Sequence, residues 1–173
     1  MKNTYLVIAL MLISYFVSAQ IINIPDPNFK NAFVNTKCVD ADENTYGDID
    51  VDVNNDGEID VSEAEAVIDL FISKQEITNL SGIEYFKNLD ELTIQDNNIE
   101  EINIADLLLL QELNLSNNKI KKLNLSNLPN LKYLDVMSNK LTSSIFPNVK
   151  TILGLSCGDR KLYPLTPLIS VIH

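Results

Sequence analysis

Residues 110–120 read L-Q-E-L-N-L-S-N-N-K-I, with apolar residues at the first, fourth, sixth and eleventh positions and an asparagine at the ninth. The same pattern recurs 21 residues earlier, at 89–99, and 21 residues later, at 131–141. Weaker copies begin at Val67, 22 residues before Leu89, and at Ile152. The chain is therefore built from about five repeats of one short unit.

The apolar spacing predicts a short strand in each repeat. Residues at positions four and six point to the same face of a strand. Positions one and eleven are buried where the chain enters and leaves the strand. One unit cannot bury its own apolar face, but stacked copies bury it against each other. We expect a right-handed α/β solenoid with short parallel strands on its concave face, near residues 70–72, 92–94, 113–115, 134–136 and 155–157.

The asparagines at the ninth position are predicted to be structural. Asn97, Asn118 and Asn139 fall where the chain turns out of a strand, and a side-chain amide there can satisfy backbone groups that the turn leaves unpaired. With this pattern, the chain resembles the leucine-rich-repeat family in its short bacterial form. The resemblance implies a binding module made of repeats over residues 67–164, followed by a tail or partial cap at 165–173.

The N-terminus has the pattern of a secretory signal. Met1-Lys2 precedes an apolar run from Tyr5 to Phe16 and the small-x-small site Val17-Ser18-Ala19, which predicts a signal peptide at 1–19. The alternative, an uncleaved membrane anchor, is disfavoured because the apolar run is shorter than the roughly 20 residues that a bilayer requires. No later stretch could span a membrane. We therefore expect a secreted or cell-surface protein.

Residues 20–66 are predicted to form an N-terminal cap. Asp26 before Pro27 is a helix-start signal, and Phe29, Ala32 and Phe33 share one helical face. The stretch I-P-D-P-N-F-K-N-A-F resembles the cap segment of internalin-like bacterial proteins. That resemblance implies a small helix that covers the open core of the first repeat.

An acidic stretch within this cap region matches a calcium-binding pattern. Residues 52–63 fit the EF-hand loop D-x-[DN]-x-[DN]-G-x5-E in full, with Gly57 at the sharp turn. Calcium takes six to eight oxygen ligands, and the closing acid usually binds with both oxygens. The predicted ligands of a structural Ca²⁺ are Asp52, Asn54, Asp56, Glu58 through its carbonyl, Asp60 and Glu63. The alternative is an acidic loop that is merely solvated.

A second calcium site upstream is a weaker prediction. Its candidate ligands are Asp40, Asp42, Asn44, Asp48 and Asp50, but the glycine and the closing acid are displaced from the pattern.

The two cysteines are expected to stay unbridged. Strands stacked at roughly 4.8 Å put Cys38 and Cys157 about 20 Å apart, beyond the roughly 7 Å limit for bridged Cα atoms. Cys157 is predicted to be buried, and Cys38 to be the cysteine that reacts or pairs between chains.

Composition excludes several functions. The net charge of −11 argues against nucleic acid as a partner. The one histidine is His173, so the sequence contains no His-assisted nucleophile and no zinc triad. We expect a protein that is not an enzyme.

The outward strand positions are predicted to bind a partner. A protein surface is the favoured partner in an adhesion-type interaction, with a glycan or a purely structural envelope role as the alternative. Exposed aromatic residues and methionine are common contact anchors, set here among acids and amides. The candidate contact residues are Phe71, Glu91, Thr93, Glu112, Asn114, Tyr133, Asp135 and Met137.

Overall fold

The structure is a computed structural model that describes residues 19–40 and 47–142, together with the backbone of residues 143–145, 151–153 and 170–172. Two α-helices, α1 (Pro27–Asn35) and α2 (Val61–Ala66), precede the strands, and a 3-10 helix spans Ile83–Tyr85. The strands are β1 (Asp69–Ser73), β2 (Glu91–Gln95), β3 (Glu112–Asn114), β4 (Lys122–Asn124), β5 (Tyr133–Asp135), β6 (Ser143–Ile145), β7 (Thr151–Leu153) and β8 (Ser170–Ile172).

The repeats build one parallel sheet, in the order β1-β2-β3-β5-β7-β8. Leu70 lies beside Leu92, Leu92 beside Leu113 and Leu113 beside Leu134, which is the register that the repeat spacing predicts. All four leucines are fully buried. The first four predicted strands are therefore confirmed, with bounds that differ by one residue at either end.

The fifth strand lies elsewhere than predicted. The strand that pairs with β5 is β7, with Ile152 opposite Leu134, so the step is 18 residues and not 21. The predicted location, 155–157, lies outside the described residues. With Ile152 at the fourth position of the repeat, the sixth, ninth and eleventh positions would be Gly154, Cys157 and Asp159. The apolar pattern therefore favours Leu155 at the fourth position, and only the backbone pairing places Ile152 there. Cys157 lies outside the described residues.

The asparagine ladder joins each repeat to the one before it. The Asn97 Oδ1 accepts from the backbone N–H groups of Gln75 and Ile77, both at 3.1 Å. Asn118 and Asn139 accept from Ile99 and Ile120 in the same way. The predicted structural role of these asparagines is thus confirmed by their hydrogen bonds.

A second, smaller parallel pair lies on the return side of the repeats. Strand β4 pairs with β6, with Leu123 opposite Ser144. Leu123 and Leu125 are buried while Lys122 and Asn124 are exposed, an alternation of period two that favours a strand. The hand of the solenoid stays a prediction.

Helix α1 packs beside the first repeat through aromatic rings. The Phe29 and Phe33 centroids lie 4.4 Å apart, and the Phe33 ring stacks on Phe86 at 4.9 Å. The chain after the helix runs antiparallel to β1, where the Phe71 N–H donates to the Cys38 carbonyl at 2.8 Å. This segment therefore gives the edge strand a backbone partner.

Cys38 is not the reactive cysteine that the sequence suggested. Its side chain is 1% exposed, and its thiol donates to the Ala32 carbonyl at 3.5 Å. Burial raises the pKa of the Cys38 thiol to about 12, so the group is a neutral thiol at physiological pH. The prediction failed because nothing in the local sequence shows that the chain folds Cys38 between α1 and the first repeat.

Candidate functional site

Two surfaces carry the candidate functional residues. One is the loop between Asp52 and Glu63, and the other is the strand face, defined as the outward side of β1, β2, β3 and β5. They are connected, since Glu63 lies in α2 and β1 begins six residues later.

The loop is folded around its first predicted ligand. Asp52 is 2% exposed, and its two carboxylate oxygens accept from the N–H groups of Asp56 at 3.1 Å and Gly57 at 2.9 Å. The Asn54 side chain accepts from Asp56 N–H at 2.8 Å. Gly57 has a φ of +83°, a conformation that glycine adopts without the strain a side chain would cause. The predicted sharp turn is present.

Glu63 connects the two ends of the loop. Its carboxylate accepts from Asn54 N–H at 3.2 Å and from Asp60 N–H at 3.0 Å, and its side chain is largely buried. Asp60 begins helix α2, where it accepts from Glu63 N–H at 2.9 Å and from the Ser62 hydroxyl at 2.6 Å. The Ser62 hydroxyl and the Glu63 amide hold the pKa of Asp60 below its usual value. The closing acid is therefore also part of a capping box.

The remaining loop ligands are arranged differently. The Glu58 side chain pairs with Lys30 of α1 at 2.7 Å, which leaves its backbone carbonyl as the predicted ligand. Among the residues described, no three acidic, histidine or cysteine side chains form a metal-binding cluster. An ion in the loop would therefore also need amide and carbonyl oxygens, those of Asn54 and Glu58.

The upstream acidic residues lie only partly within the described chain. Asp48 and Asp50 flank Ile49, which bridges Val39 in antiparallel fashion beside Asp40. Asp42 and Asn44 lie outside the described residues. The second calcium site thus stays a prediction.

The strand face contains a groove of about 530 Å³. The strand register sets its side chains in rows, and one row runs Asp69, Glu91, Glu112, Tyr133 across four strands. A second row runs Phe71, Thr93, Asn114, Asp135. Six of the eight predicted contact residues line the groove: Phe71, Glu91, Thr93, Glu112, Asn114 and Tyr133.

The other two predicted contact residues lie beside the groove. Asp135 is in register with Asn114, and Met137 follows β5 with 48% of its surface exposed. The groove is also lined by Ser73, Gln95 and Lys37. Lys37 could not be found from the repeat pattern, because it precedes the repeats and reaches the groove only through the segment that pairs with β1.

Like charges shape the electrostatics of the strand face. Burial raises the pKa of Glu91, and repulsion from Glu112 and Asp69 raises it further. Burial also raises the pKa of Tyr133, with further contributions from Asp135 and Glu112. The groove is therefore a region of negative potential.

This architecture is that of a leucine-rich-repeat solenoid. Residues 109–150 match the family model of Leucine Rich repeats (2 copies). No curated protein matches the sequence.

Two solved structures from Listeria monocytogenes are similar in fold. One is the functional domain of InlJ, which includes a cysteine ladder, with 22% identity and a TM-score of 0.59 over 80% of this chain and 29% of that one. The other is an internalin, inlF, from strain 4b F2365, with 22% identity and a TM-score of 0.51 over 82% of this chain and 42% of that one. The chain thus spans less than half of either protein.

The export prediction is not tested by the fold. Residues 1–18 lie outside the described residues. None of the helices in the described ranges has the length and apolar character that a membrane span requires.

Proposed function

We propose that this chain is an exported leucine-rich-repeat module that binds a protein through its strand face. The observation that supports this most is the groove of about 530 Å³ across four strands, lined mainly by outward side chains that are not part of the solenoid core. Interior positions of the same strands are fully buried leucines and isoleucines, so the outward rows are free to vary for recognition. The similarity to internalin folds is consistent with such a module.

The strand-face proposal predicts that a bulky side chain in the groove blocks binding. Thr93→Trp fills the middle of the groove from a half-buried strand position, and Lys122→Trp places the same side chain on the exposed side of β4. After capture of a partner from surface extracts, we expect Thr93→Trp to weaken binding at least about tenfold, since interface anchors commonly contribute more than 1 kcal/mol. Lys122→Trp should bind as the unmodified protein does. Equal capture by both variants would contradict the strand-face proposal.

A structural Ca²⁺ in the loop at 52–63 is the second part of the proposal. Asp52 and Glu63 are both largely buried, and buried carboxylates are costly unless they are paired or bind a metal. Each of their oxygens that accepts one backbone N–H keeps a second lone pair for an ion. Asp52, Asn54, Asp56, the Glu58 carbonyl and Glu63 would hold the ion, with Asp60 acting through its cap. Calcium would offset part of the negative charge of the loop.

The loop is placed to couple an ion to the order of residues 20–66, which we propose cap the solenoid. The Ile59 carbonyl accepts from Ile22 N–H at 2.8 Å, and Glu58 pairs with Lys30 of α1. The Phe33 carbonyl accepts from Val51 N–H at 2.9 Å, just before the loop. An ion that orders the loop would therefore also fix α1 against the first repeat.

Calcium should raise the melting temperature. Extracellular loops bind with dissociation constants of about 10⁻⁴ to 10⁻³ M, and ten times that concentration adds roughly 1.4 kcal/mol of stability. For a domain of this size that is a shift of about 3 to 6 °C by calorimetry. Glu63→Gln should abolish most of the shift, while Glu65→Gln, on an exposed position of the same helix, should keep it.

The calcium effect has to be separated from helix capping. Glu63 caps α2 with or without an ion, so Glu63→Gln is expected to lower the melting temperature in chelator as well. The informative quantity is each variant's difference between calcium and chelator. If the unmodified protein shows no such difference at millimolar calcium, the loop binds no calcium and its buried acids are held by their backbone hydrogen bonds alone.

A further inference from the structure

The first row of the strand face sets like charges beside each other. Glu91 is the register partner of Asp69 on one side and of Glu112 on the other, so neighbouring carboxylates lie on strands roughly 4.8 Å apart. Like charges in such cross-strand positions destabilise a sheet. This arrangement adds no stability to the solenoid core. It would, however, give a binding surface the negative charge that attracts a cation.

The electrostatics of the groove agree with this geometry. The charged groups that act on Glu91 are Glu112, Asp69 and Asp90, all acidic, and burial adds to their effect. Lys37 lines the groove as well, but the charged groups that act most strongly on Glu91 are acidic. Among the described lining residues, Glu91 and Glu112 outnumber Lys37, and a concave surface with an excess of one sign of charge concentrates its field inside the groove. A positive group that entered beside Glu91 and Glu112 would relieve their repulsion.

The remaining side chains favour a peptide over a sugar as the source of that positive group. Phe71 on β1 and Tyr133 on β5 are separated by three strand spacings, about 14 Å, which is too far for both rings to stack on one sugar. Thr93 and Asn114 lie between them and offer hydroxyl and amide groups for a peptide backbone. The Tyr133 ring, next to Glu112, offers an aromatic face that attracts a cation.

We propose that the groove binds a basic segment of the protein partner, with a lysine or arginine side chain held by Glu91 and Glu112 and by the ring of Tyr133. This inference rests on the proposed function of the strand face and specifies the chemistry of its partner. The acidic row would then select a basic partner, because the repulsion between its carboxylates in the free protein is relieved when the partner binds.

The test uses a short peptide, acetyl-Arg-Thr-Arg-Thr-Arg-amide, titrated into the protein and followed by amide chemical shifts. Matched peptides replace each arginine with citrulline, a neutral side chain of nearly the same shape, or with glutamate. The protein variant is Glu91→Gln with Glu112→Gln. Its control, Glu65→Gln with Glu101→Gln, removes the same charge from exposed positions outside the groove.

We expect the arginine peptide to shift the amides of Thr93 and Asn114, and the citrulline and glutamate peptides to leave them unchanged. The Glu91/Glu112 variant should bind roughly tenfold more weakly, which corresponds to about 1.4 kcal/mol, and the control should bind normally. The same variant should melt about 1 to 3 °C higher than the unmodified protein, because a repulsive pair has been removed. A purely structural role for these glutamates would lower the melting temperature instead.

The results separate this inference from the proposed function. Equal binding of the arginine and citrulline peptides, or unchanged binding by the Glu91/Glu112 variant, would overturn the inference. If Thr93→Trp still blocks partner capture in that case, the strand face remains the binding site and only its chemistry is wrong. A neutral oligosaccharide that shifts the same amides, with equal affinity for the Glu91/Glu112 variant, would overturn it in favour of a glycan.

Discussion

Replacing Asp26 with alanine should lower the free energy of unfolding by about 4 kcal/mol, because one carboxylate both begins α1 and attaches it to the repeats. One oxygen accepts from Asn28 N–H at 2.9 Å and Phe29 N–H at 3.1 Å. The other accepts from the backbone and hydroxyl of Thr78, both at 2.8 Å, and from Asn79 N–H at 3.0 Å. The side chain is only 6% exposed, so water cannot replace these bonds.

Asparagine at position 26 separates the two roles. Its oxygen can still cap the helix, but its NH₂ group would face the donors of Thr78 and Asn79. We expect Asp26→Asn to lose most of the stability that alanine loses, about 2 to 3 kcal/mol by urea unfolding. Asp106→Asn, at an exposed acid of the return side, should change stability by less than about 0.5 kcal/mol. If Asp26→Asn were as stable as the unmodified protein, the bonds to Thr78 and Asn79 would contribute nothing.

Asp26 should also make stability depend on pH at the acid end. Burial acts to raise the pKa of Asp26, but the hydrogen bonds from Thr78, Phe29 and Asn79 outweigh it, and the pKa is lowered. A carboxyl whose folded pKa is lower than its unfolded pKa stabilises the fold above the unfolded value, about 3.9. That contribution is lost as the pH falls through the folded pKa. Unfolding curves below pH 4 should therefore show a smaller loss of stability for Asp26→Asn than for the unmodified protein.

Replacing Asn118 with alanine should cost about 3 kcal/mol, since it leaves buried polar groups of two repeats without partners. Its Oδ1 accepts from Ile99 N–H at 3.1 Å, and its NH₂ donates to the carbonyls of Ile94 at 2.8 Å and Leu115 at 3.1 Å. The side chain is 5% exposed. Denaturant unfolding followed by circular dichroism would measure the loss.

Two comparisons identify the cause of the Asn118 effect. Asn127→Ala removes the same atoms from an exposed return segment, where the side chain accepts a 3.4 Å bond from Ser126 as its one hydrogen bond among the described residues. It should cost less than about 0.5 kcal/mol. Asn118→Asp keeps the acceptor but directs a carboxylate at the Ile94 and Leu115 carbonyls, so it should destabilise at least as much as alanine. A neutral result for Asn118→Asp would show that the donated bonds are unimportant.

The repeat region could be predicted because its signal is local and periodic. Leu92, Leu113 and Leu134 recur at a fixed interval, and any stacking that keeps them buried has to place neighbouring strands in register. The same logic located six groove residues, since the outward positions follow once the inward ones are known. It did not predict a strand at Ile152, because the apolar pattern assigns Ile152 to the first position of its repeat and Leu155 to the fourth, whereas the backbone pairing puts Ile152 opposite Leu134.

The contacts of the N-terminal region could not be predicted in this way, because they join residues that are distant in sequence. Asp26 could be identified as a helix start from its neighbour Pro27, but its bonds to Thr78 and Asn79 join residues about fifty positions apart, which no local pattern encodes. For the same reason, Lys37 was missed as a groove residue and Cys38 was wrongly predicted to be reactive. Their surroundings depend on how residues 38–40 align with β1.

The sequence by itself determined the solenoid architecture, the asparagine ladder and the composition of the strand face, because each depends on a side chain's place within a repeating unit. Only the tertiary structure decided that Cys38 is buried, that Lys37 reaches the groove and that Asp26 attaches α1 to the first repeat. It also decided the phase of β7. Those outcomes depend on contacts between segments distant in sequence, which are set when competing packings differ in free energy, and a periodic pattern cannot rank such alternatives.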